Sequence, residues 1–198
     1  MGLSLDYIDG QTPLDEDEKE GLRIKSITTR GELDEFEQQN IEKAMLWLRS
    51  KKLTATEILT EKFVKELHRR MYADTWKWAG KLRTTDKNIG VHKNKITVSL
   101  KQLLDDASFW IANETFAPAE TAIRFKHRLV QVHCFANGNG RHSRLIADEL
   151  MEKHFALAPF TWGAASLIKQ SITRSEYIKA LKKADAGDYT MLLAFAIS

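Results

Sequence analysis

Proline is scarce in this sequence, and this scarcity constrains the fold more than any other single feature. Only 3 of the 198 residues are proline, so few positions interrupt a helix. Apolar residues recur every three to four positions over 33–48, 59–71, 100–111 and 140–155, the spacing that gives a helix one buried face. Strand patterns are rare by comparison. The sequence therefore predicts a mostly α-helical fold.

Residues that start helices support this prediction. A threonine followed three positions later by glutamate forms a capping box, serine is a common N-cap residue, and proline is tolerated in a first turn. Helix starts are expected at Thr54 with Glu57, at Ser99, at Pro118 with a helix running to about His133, and at Thr173 with Glu176. A last short helix is expected from Asp188.

One short stretch favours β structure instead. Its two arms flank the sequence His-Lys-Asn-Lys, in which Asn94 suits a tight turn. The arms consist of Ile89, Gly90 and Val91 on one side and Ile96, Thr97 and Val98 on the other. This pattern predicts a small β-hairpin flap on the helical fold.

The composition excludes several classes of protein. Hydrophobic residues make up 43% and charged residues 29% of the chain, as in ordinary globular proteins. The single cysteine, Cys134, excludes an internal disulfide and a multi-cysteine zinc site. No stretch approaches the roughly 18 apolar residues of a membrane span, and no basic segment precedes an apolar run at the amino terminus. We expect a cytoplasmic protein with no membrane partner.

The charge balance argues against direct binding to nucleic acid. The formal net charge is only +3, and basic residues cluster only in short runs around Arg69 and Lys182. Ordinary solvated helix faces explain such runs. A DNA-binding helical regulator is the alternative, which salt-dependent binding to duplex DNA would reveal.

The candidate catalytic residues lie in one segment, 133–144, which has the sequence His-Cys-Phe-Ala-Asn-Gly-Asn-Gly-Arg-His-Ser-Arg. The turn Gly138, Asn139, Gly140 lies between two apolar helices, where backbone N–H groups can converge on an anion at the positive end of the second helix. Arg141 and Arg144 are three positions apart on that helix, so both can face one anion. Two arginines at this end oppose the helix dipole, and this conflict indicates a functional site.

His133 precedes this turn and can accept a proton near neutral pH. A histidine, a glycine cradle for an anion and two arginines together favour phosphoryl or nucleotidyl transfer. The P-loop and protein-kinase signatures are absent from the sequence. Taken singly, each feature also has an ordinary structural explanation: a tight turn, a structural histidine, or arginines paired with surface acids. Their combination within 12 residues favours a site.

The segment resembles the signature of the Fic (Fido) domain, usually written HPFx(D/E)GNGRxxR. Residues 78–91 are similar to the family's segment leading into its substrate flap, and the resemblance covers roughly residues 30–160. The whole chain is most similar to the bacterial Fic proteins called mobile mystery protein B. The resemblance implies a Fic-type helical bundle over 30–198, preceded by an amino-terminal segment, 1–29, that includes an inhibitory helix.

The resemblance also implies an activity, the transfer of AMP from ATP to a hydroxyl side chain of an as yet unidentified target protein. His133 would deprotonate the hydroxyl, and the Gly138–Gly140 turn would form the anion hole. Arg141 would hold the β-phosphate and Arg144 the γ-phosphate, while Phe135 would anchor the loop in the core. The flap would pair with the backbone of the target.

Two positions depart from the family pattern. Cys134 replaces a proline and is expected to be a small buried hydrophobic residue rather than a nucleophile. Asn137 stands where the family has an acidic Mg²⁺ ligand; its amide oxygen can coordinate Mg²⁺ but brings no charge. Two alternatives therefore stay open: a Fic enzyme with another reaction, such as transfer of phosphate, UMP or phosphocholine or removal of AMP, and a non-catalytic nucleotide or anion binder.

The acidic segment before residue 30 is the candidate for regulation. Many Fic proteins carry an inhibitory helix, (S/T)xxxE(G/N), whose glutamate pairs with the second arginine of the motif. Glu20 and Gly21 match the end of this pattern, but Glu16 stands where serine or threonine is expected. We expect Glu20 to pair with Arg144; the alternative is an exposed acidic surface.

Overall fold

The computed structural model describes residues 12–163 and 170–198 and is predominantly helical. The helices are α1 (Glu16–Glu20), α2 (Arg30–Arg49), α3 (Ala55–Ile58), α4 (Glu61–Tyr72), α5 (Ile96–Ala112), α6 (Pro118–Val132), α7 (Asn139–Glu149), α8 (Gln170–Asp185) and α9 (Thr190–Ile197). A 3₁₀ turn, Lys93–Lys95, precedes α5, and a π-helical turn, Leu150–His154, continues α7. Residues 1–11 of the amino-terminal segment and the loop 164–169 lie outside the described residues.

Local signals account for most helix starts. The capping box of Thr54 and Glu57 is formed at α3, and Pro118 occupies the first turn of α6, as predicted. Helix α2 begins three positions earlier than its apolar stripe, because Thr29 and Glu32 form a second capping box. The predicted capped start at Thr173 is wrong, because Thr173 lies within α8 (Gln170–Asp185) and not at its start.

The predicted β-hairpin flap is wrong. Ile96, Thr97 and Val98 form the first turn of α5, and Ser99 lies inside this helix instead of capping it. Ile89, Gly90 and Val91 form an irregular loop, and the described residues contain only one isolated β-bridge, Leu22 with Trp76. Burial decided the outcome: Ile96 continues the buried helical stripe of Leu100, Leu103 and Ala107, and this packing outweighs the strand preference of β-branched residues.

Helix α6 lies at the centre of the fold and positions the motif. It packs against α5, α7 and α9, and Ala122, Ile123 and Phe125 on this helix are fully buried. Leu14, Leu22 and Ile27 of the amino-terminal segment belong to the same core. Because α6 ends at His133 and α7 begins at Asn139, the motif spans the junction of two buried helices. Among the described helices, none is long and apolar enough to span a membrane.

The buried carboxyl group of Glu149 is expected to make the stability of the fold depend on pH, and a single substitution at this position tests the effect. Its side chain is buried, Oε2 has no hydrogen-bond partner among the described residues, and burial raises its pKa to about 7. The folded chain therefore binds more protons than the unfolded chain between about pH 4.5 and 7, so ionising Glu149 lowers stability as pH rises through this range. Glu149→Gln should gain up to about 3 kcal/mol over the wild type above pH 7 and little below pH 4.5.

Urea denaturation of the two proteins from pH 4.5 to 8 measures this difference. Glu42→Gln is the matched control, because Glu42 is exposed and is not among the causes of the raised pKa of Glu149. A difference between wild type and Glu149→Gln that stays constant with pH would contradict the assignment.

Candidate active site

The motif begins with a left-handed backbone conformation at His133. This residue ends α6 with a φ of 55°, and Gly138 precedes α7 with a φ of 78°. A Cβ atom added to Gly138 would lie 2.6 Å from the ring of Tyr72. Glycine is therefore required at 138 both by the backbone conformation and by the neighbouring ring.

Buried side chains hold the loop between these two turns. The Asn139 amide accepts a hydrogen bond from the Phe135 N–H at 3.0 Å and donates one to the Phe135 carbonyl at 2.8 Å. Phe135 is fully buried, as expected, and stacks on His68 with the ring centroids 3.7 Å apart. His68 accepts a hydrogen bond from the Gly80 N–H through Nδ1 at 3.0 Å, which leaves Nε2–H to donate to the Asn137 carbonyl at 3.0 Å. These buried contacts fix the position of the loop from within the protein.

The first turn of α7 presents an anion cradle. Its first backbone hydrogen bond runs from the His142 N–H to the Gly138 carbonyl at 3.0 Å, so the N–H groups of Asn139, Gly140 and Arg141 have no acceptor within the helix. Apart from its chain neighbours and the backbone of its own helix, no described atom lies within 4 Å of the position that a Cβ on Gly140 would take. An anion can therefore approach this positively polarised helix end.

The two arginines of the motif have different neighbours. Arg141 forms an ion pair with Glu37 at 2.5 Å, and Glu37 also accepts a hydrogen bond from Trp76 Nε1 at 2.7 Å. The Arg144 guanidinium carbon lies 4.4 Å from the ring centroid of Tyr177 and 5.5 Å from that of Trp162. Sequence reasoning missed Glu37, although a carboxylate within the apolar stripe of α2 is a signal for a buried ion pair.

His133 is the buried titratable group of the site. Burial lowers its pKa to about 4, and the nearby cations Arg83 and Lys87 add to this effect. The imidazole is therefore neutral at pH 7 and has a nitrogen lone pair that can accept a proton. This state is the one that a general base requires.

Arg83 ties a neighbouring loop to the motif and was not found from the sequence. Its side chain is fully buried and donates hydrogen bonds to three carbonyl oxygens, those of His133 at 2.7 Å, Thr85 at 2.7 Å, and Val91. A Cβ atom on Gly90 would lie 2.5 Å from the Cβ atom of His133. Residues 89–91 therefore lie directly beside the histidine, although they form no strand.

The amino-terminal segment also reaches the motif. Thr12 Oγ1 lies 3.1 Å from His133 Nε2, and the Asn137 side-chain amide donates to the Thr12 carbonyl at 3.2 Å. Lys87 forms ion pairs with Asp15 at 2.9 Å and with Glu18. No local sequence pattern predicts these contacts.

The expected pair of Glu20 and Arg144 is not among the ion pairs of the described residues. Glu20 is exposed at the end of α1, and its backbone carbonyl accepts a hydrogen bond from Lys25 at 3.2 Å. The physical reason is the anchoring of α1 through Glu18, which contacts Lys87, Thr85 and Trp78. This anchoring leaves Glu20 facing solvent.

The residues around Asn137 do not fit a site in which the protein itself holds Mg²⁺. The Asn137 side-chain oxygen accepts the Gly138 N–H at 2.6 Å. The described residues contain no group of three or more histidine, cysteine or carboxylate side chains that could hold a metal ion, whereas Mg²⁺ sites normally use carboxylates.

Cys134 is buried, as expected, and is not poised as a nucleophile. Burial raises the pKa of its thiol to about 12, so the group remains protonated at neutral pH.

Comparison with known proteins agrees with this geometry. Residues 58–151, which include the motif, match the Fic/DOC family model. This segment is similar to Fic/DOC domains. The chain is 33% identical over 132 residues to protein adenylyltransferase fic-1 of Caenorhabditis elegans, and 24% identical over 167 residues to protein adenylyltransferase Fic of Nematostella vectensis. The matches span 62% and 82% of this chain but only 23% and 37% of these relatives.

Solved structures support the same fold. A fragment of Fic-1 from C. elegans superposes with a TM-score of 0.64 at 26% identity, covering 80% of this chain and 46% of that fragment. BepC from Bartonella tribocorum, solved with bound AMPPNP, superposes with a TM-score of 0.66 at 16% identity, covering 91% of this chain and 96% of BepC. The described part of the chain therefore has the same helical fold as these solved structures.

Proposed function

We propose that this chain is a protein adenylyltransferase, which transfers AMP from ATP to a hydroxyl side chain of another protein. The observation that carries the proposal is the contact of His133 Nε2 with a threonine hydroxyl at 3.1 Å, next to the open helix end at Gly140. The names of the relatives support the same activity. We also assign the chain to the mobile mystery protein B type, on the resemblance of the whole sequence.

In the proposed reaction, each residue of the motif has a separate role. His133 takes the proton from the target hydroxyl, whose oxygen attacks the α-phosphorus of ATP, and pyrophosphate leaves. The free N–H groups of Asn139 and Gly140 stabilise the negative charge that develops on the phosphate, whereas the Gly138 N–H is donated to the Asn137 side-chain oxygen. Arg141, held by Glu37, binds the β-phosphate, and Arg144 binds the γ-phosphate. No step is assigned to a metal, because the donor set does not fit one.

The loop 89–91 is the proposed docking element for the target. Ile89 is exposed, and Gly90 lies against His133, so a target segment lying along this loop would bring its hydroxyl towards the base. Ile96, Thr97 and Val98 are removed from this element because they belong to α5.

Two labelled forms of ATP test the proposal. Incubation with a candidate target should leave label from the α-phosphate on protein and none from the γ-phosphate, because AMP is transferred and pyrophosphate is released. Transfer of the γ label would indicate a phosphotransferase. Nucleotide binding without either label would indicate a non-catalytic binder, and each of these two results would overturn the proposal.

A further inference from the structure

The hydroxyl of Thr12 lies where a substrate hydroxyl has to lie in the proposed reaction. Its Oγ1 is 3.1 Å from Nε2 of His133, within the hydrogen-bond reach that a general base needs. When the neutral imidazole carries its proton on Nδ1, Nε2 accepts the hydrogen bond that the hydroxyl donates. Thr12 is buried, with 8% of its surface exposed, so the contact is shielded from water.

Contacts of Thr12 and of the residues that follow it hold its hydroxyl in this place. The Thr12 carbonyl accepts the Asn137 side-chain N–H at 3.2 Å. The Pro13 carbonyl accepts a hydrogen bond from Lys87 at 3.2 Å, and Lys87 pairs in addition with Asp15 and Glu18. A hydroxyl that the fold has already oriented reacts without the entropy cost of docking a separate molecule.

The same contacts place Thr12 next to the anion cradle. Asn137 donates to Thr12 through its amide nitrogen and accepts the Gly138 N–H at 2.6 Å through its amide oxygen. One side chain thus bridges the hydroxyl-bearing segment and the turn that binds phosphate in the proposed reaction. A Cβ atom on Gly140 would meet no described atom outside its own helix and chain neighbours, so this side of the first turn of α7 is open to a ligand.

We propose that Thr12 is a self-modification site, at which this chain attaches AMP to its own hydroxyl. The inference rests on the proposed function. The Thr12 O–H bond breaks as Nε2 of His133 takes the proton, and Oγ1 forms a bond to the α-phosphorus of bound ATP. The bond from that phosphorus to the oxygen bridging to the β-phosphate breaks, and pyrophosphate leaves with the electron pair. His133 then releases its proton to solvent. Each chain is modified once, because it has one Thr12 hydroxyl.

The test uses the full chain, ATP labelled at the α-phosphate, and mass spectrometry of the digested protein. The wild type should carry one AMP, on the peptide that contains Thr12. Thr12→Val keeps the shape of the side chain but removes the hydroxyl, and self-labelling should fall at least about tenfold. Thr12→Ser should retain labelling. Thr84→Val is the matched control, because Thr84 is an exposed threonine.

Two further observations separate a modification site from a passive contact. The rate constant of self-labelling should not change when the protein is diluted, because the acceptor and the base belong to one chain. Labelling of Thr12→Val at the wild-type level, or AMP found on another residue, would overturn the proposal. Faster release of AMP to water by Thr12→Val, without any label on wild-type Thr12, would show that the segment only covers the base.

The failure of this inference can be told from the failure of the proposed function. If Thr12 stays unlabelled while the chain still converts ATP to AMP and pyrophosphate, or labels another protein, transfer is real and only the acceptor is wrong. If the folded chain binds ATP but releases no pyrophosphate with any acceptor, both proposals are wrong.

Discussion

Replacing His133 with alanine is expected to reduce AMP transfer by about 10²–10⁴-fold, the usual contribution of a positioned general base. Binding of ATP should change little, because the N–H groups of the cradle and the two arginines are untouched. The rates are measured with ATP labelled at the α-phosphate, and the dissociation constants by calorimetry. His154→Ala is the matched control, since His154 is exposed and lies outside the motif.

The low pKa of His133 adds a pH dependence to this prediction. Because burial lowers the pKa to about 4, the imidazole remains a free base well below pH 6.5, and the acid limb of the wild-type rate should fall near pH 4. The His133→Ala variant should lack this limb. Wild-type transfer by the alanine variant, or a wild-type rate that halves near pH 6.5, would contradict the assignment of His133 as this buried base.

Replacing Arg83 with methionine is expected to cost about 3 kcal/mol or more of the free energy of unfolding. Methionine fills a similar volume but donates no hydrogen bond, so the carbonyls of His133, Thr85 and Val91 lose a buried partner, at about 1–3 kcal/mol for each group left unsatisfied. Arg83→Lys should also be destabilised, because one ammonium group cannot reproduce the planar geometry of the guanidinium. Urea denaturation measures both changes.

The effect of Arg83→Met should also be measurable at the active site. Loss of the Arg83 cation removes one cause of the low pKa of His133, so NMR titration of the His133 ring should show a higher pKa in Arg83→Met. Lys81→Met is the matched control, because Lys81 is an exposed cation two positions away. Equal urea midpoints for the Arg83 and Lys81 variants, with no change in the pKa of His133, would show that Arg83 does not hold this loop.

The failure of the hairpin prediction has a definite physical cause. The β-branched residues Ile96, Thr97 and Val98 favour a strand locally, but a hairpin needs the pairing of two arms. The buried position of Ile96, in register with Leu100 and Leu103, stabilises the helical alternative. Strand preference depends on context more than helix preference does, so such short runs are weak predictors beside an amphipathic helix.

The mismatch at Glu20 has a different origin. The spacing of Glu20 and Gly21 matches an inhibitory helix, but the direction in which a short helix faces depends on its anchors. Here Glu18 makes the contacts with the rest of the fold, and Glu20 faces solvent. A sequence pattern defines which residues share a helix; it does not define which of them meets the rest of the protein.

Features that depend on neighbouring residues follow from the sequence alone. These are the helical class, the starts of α3 and α6, the left-handed glycine at 138 and the order of histidine, cradle and arginines in residues 133–144. Backbone conformation and helix spacing are local properties, so residues a few positions apart suffice to encode them.

Which distant residues complete the site depends on the tertiary structure. Thr12 is 121 positions from His133, Glu37 is 104 positions from Arg141, and Arg83 is 50 positions from the His133 carbonyl that it binds. Such contacts depend on how the helices pack around α6, and no periodicity or motif in one segment carries that information. The packing also buries His133, and burial lowers its pKa to about 4, so the imidazole stays neutral well below the pH at which an exposed histidine takes up a proton.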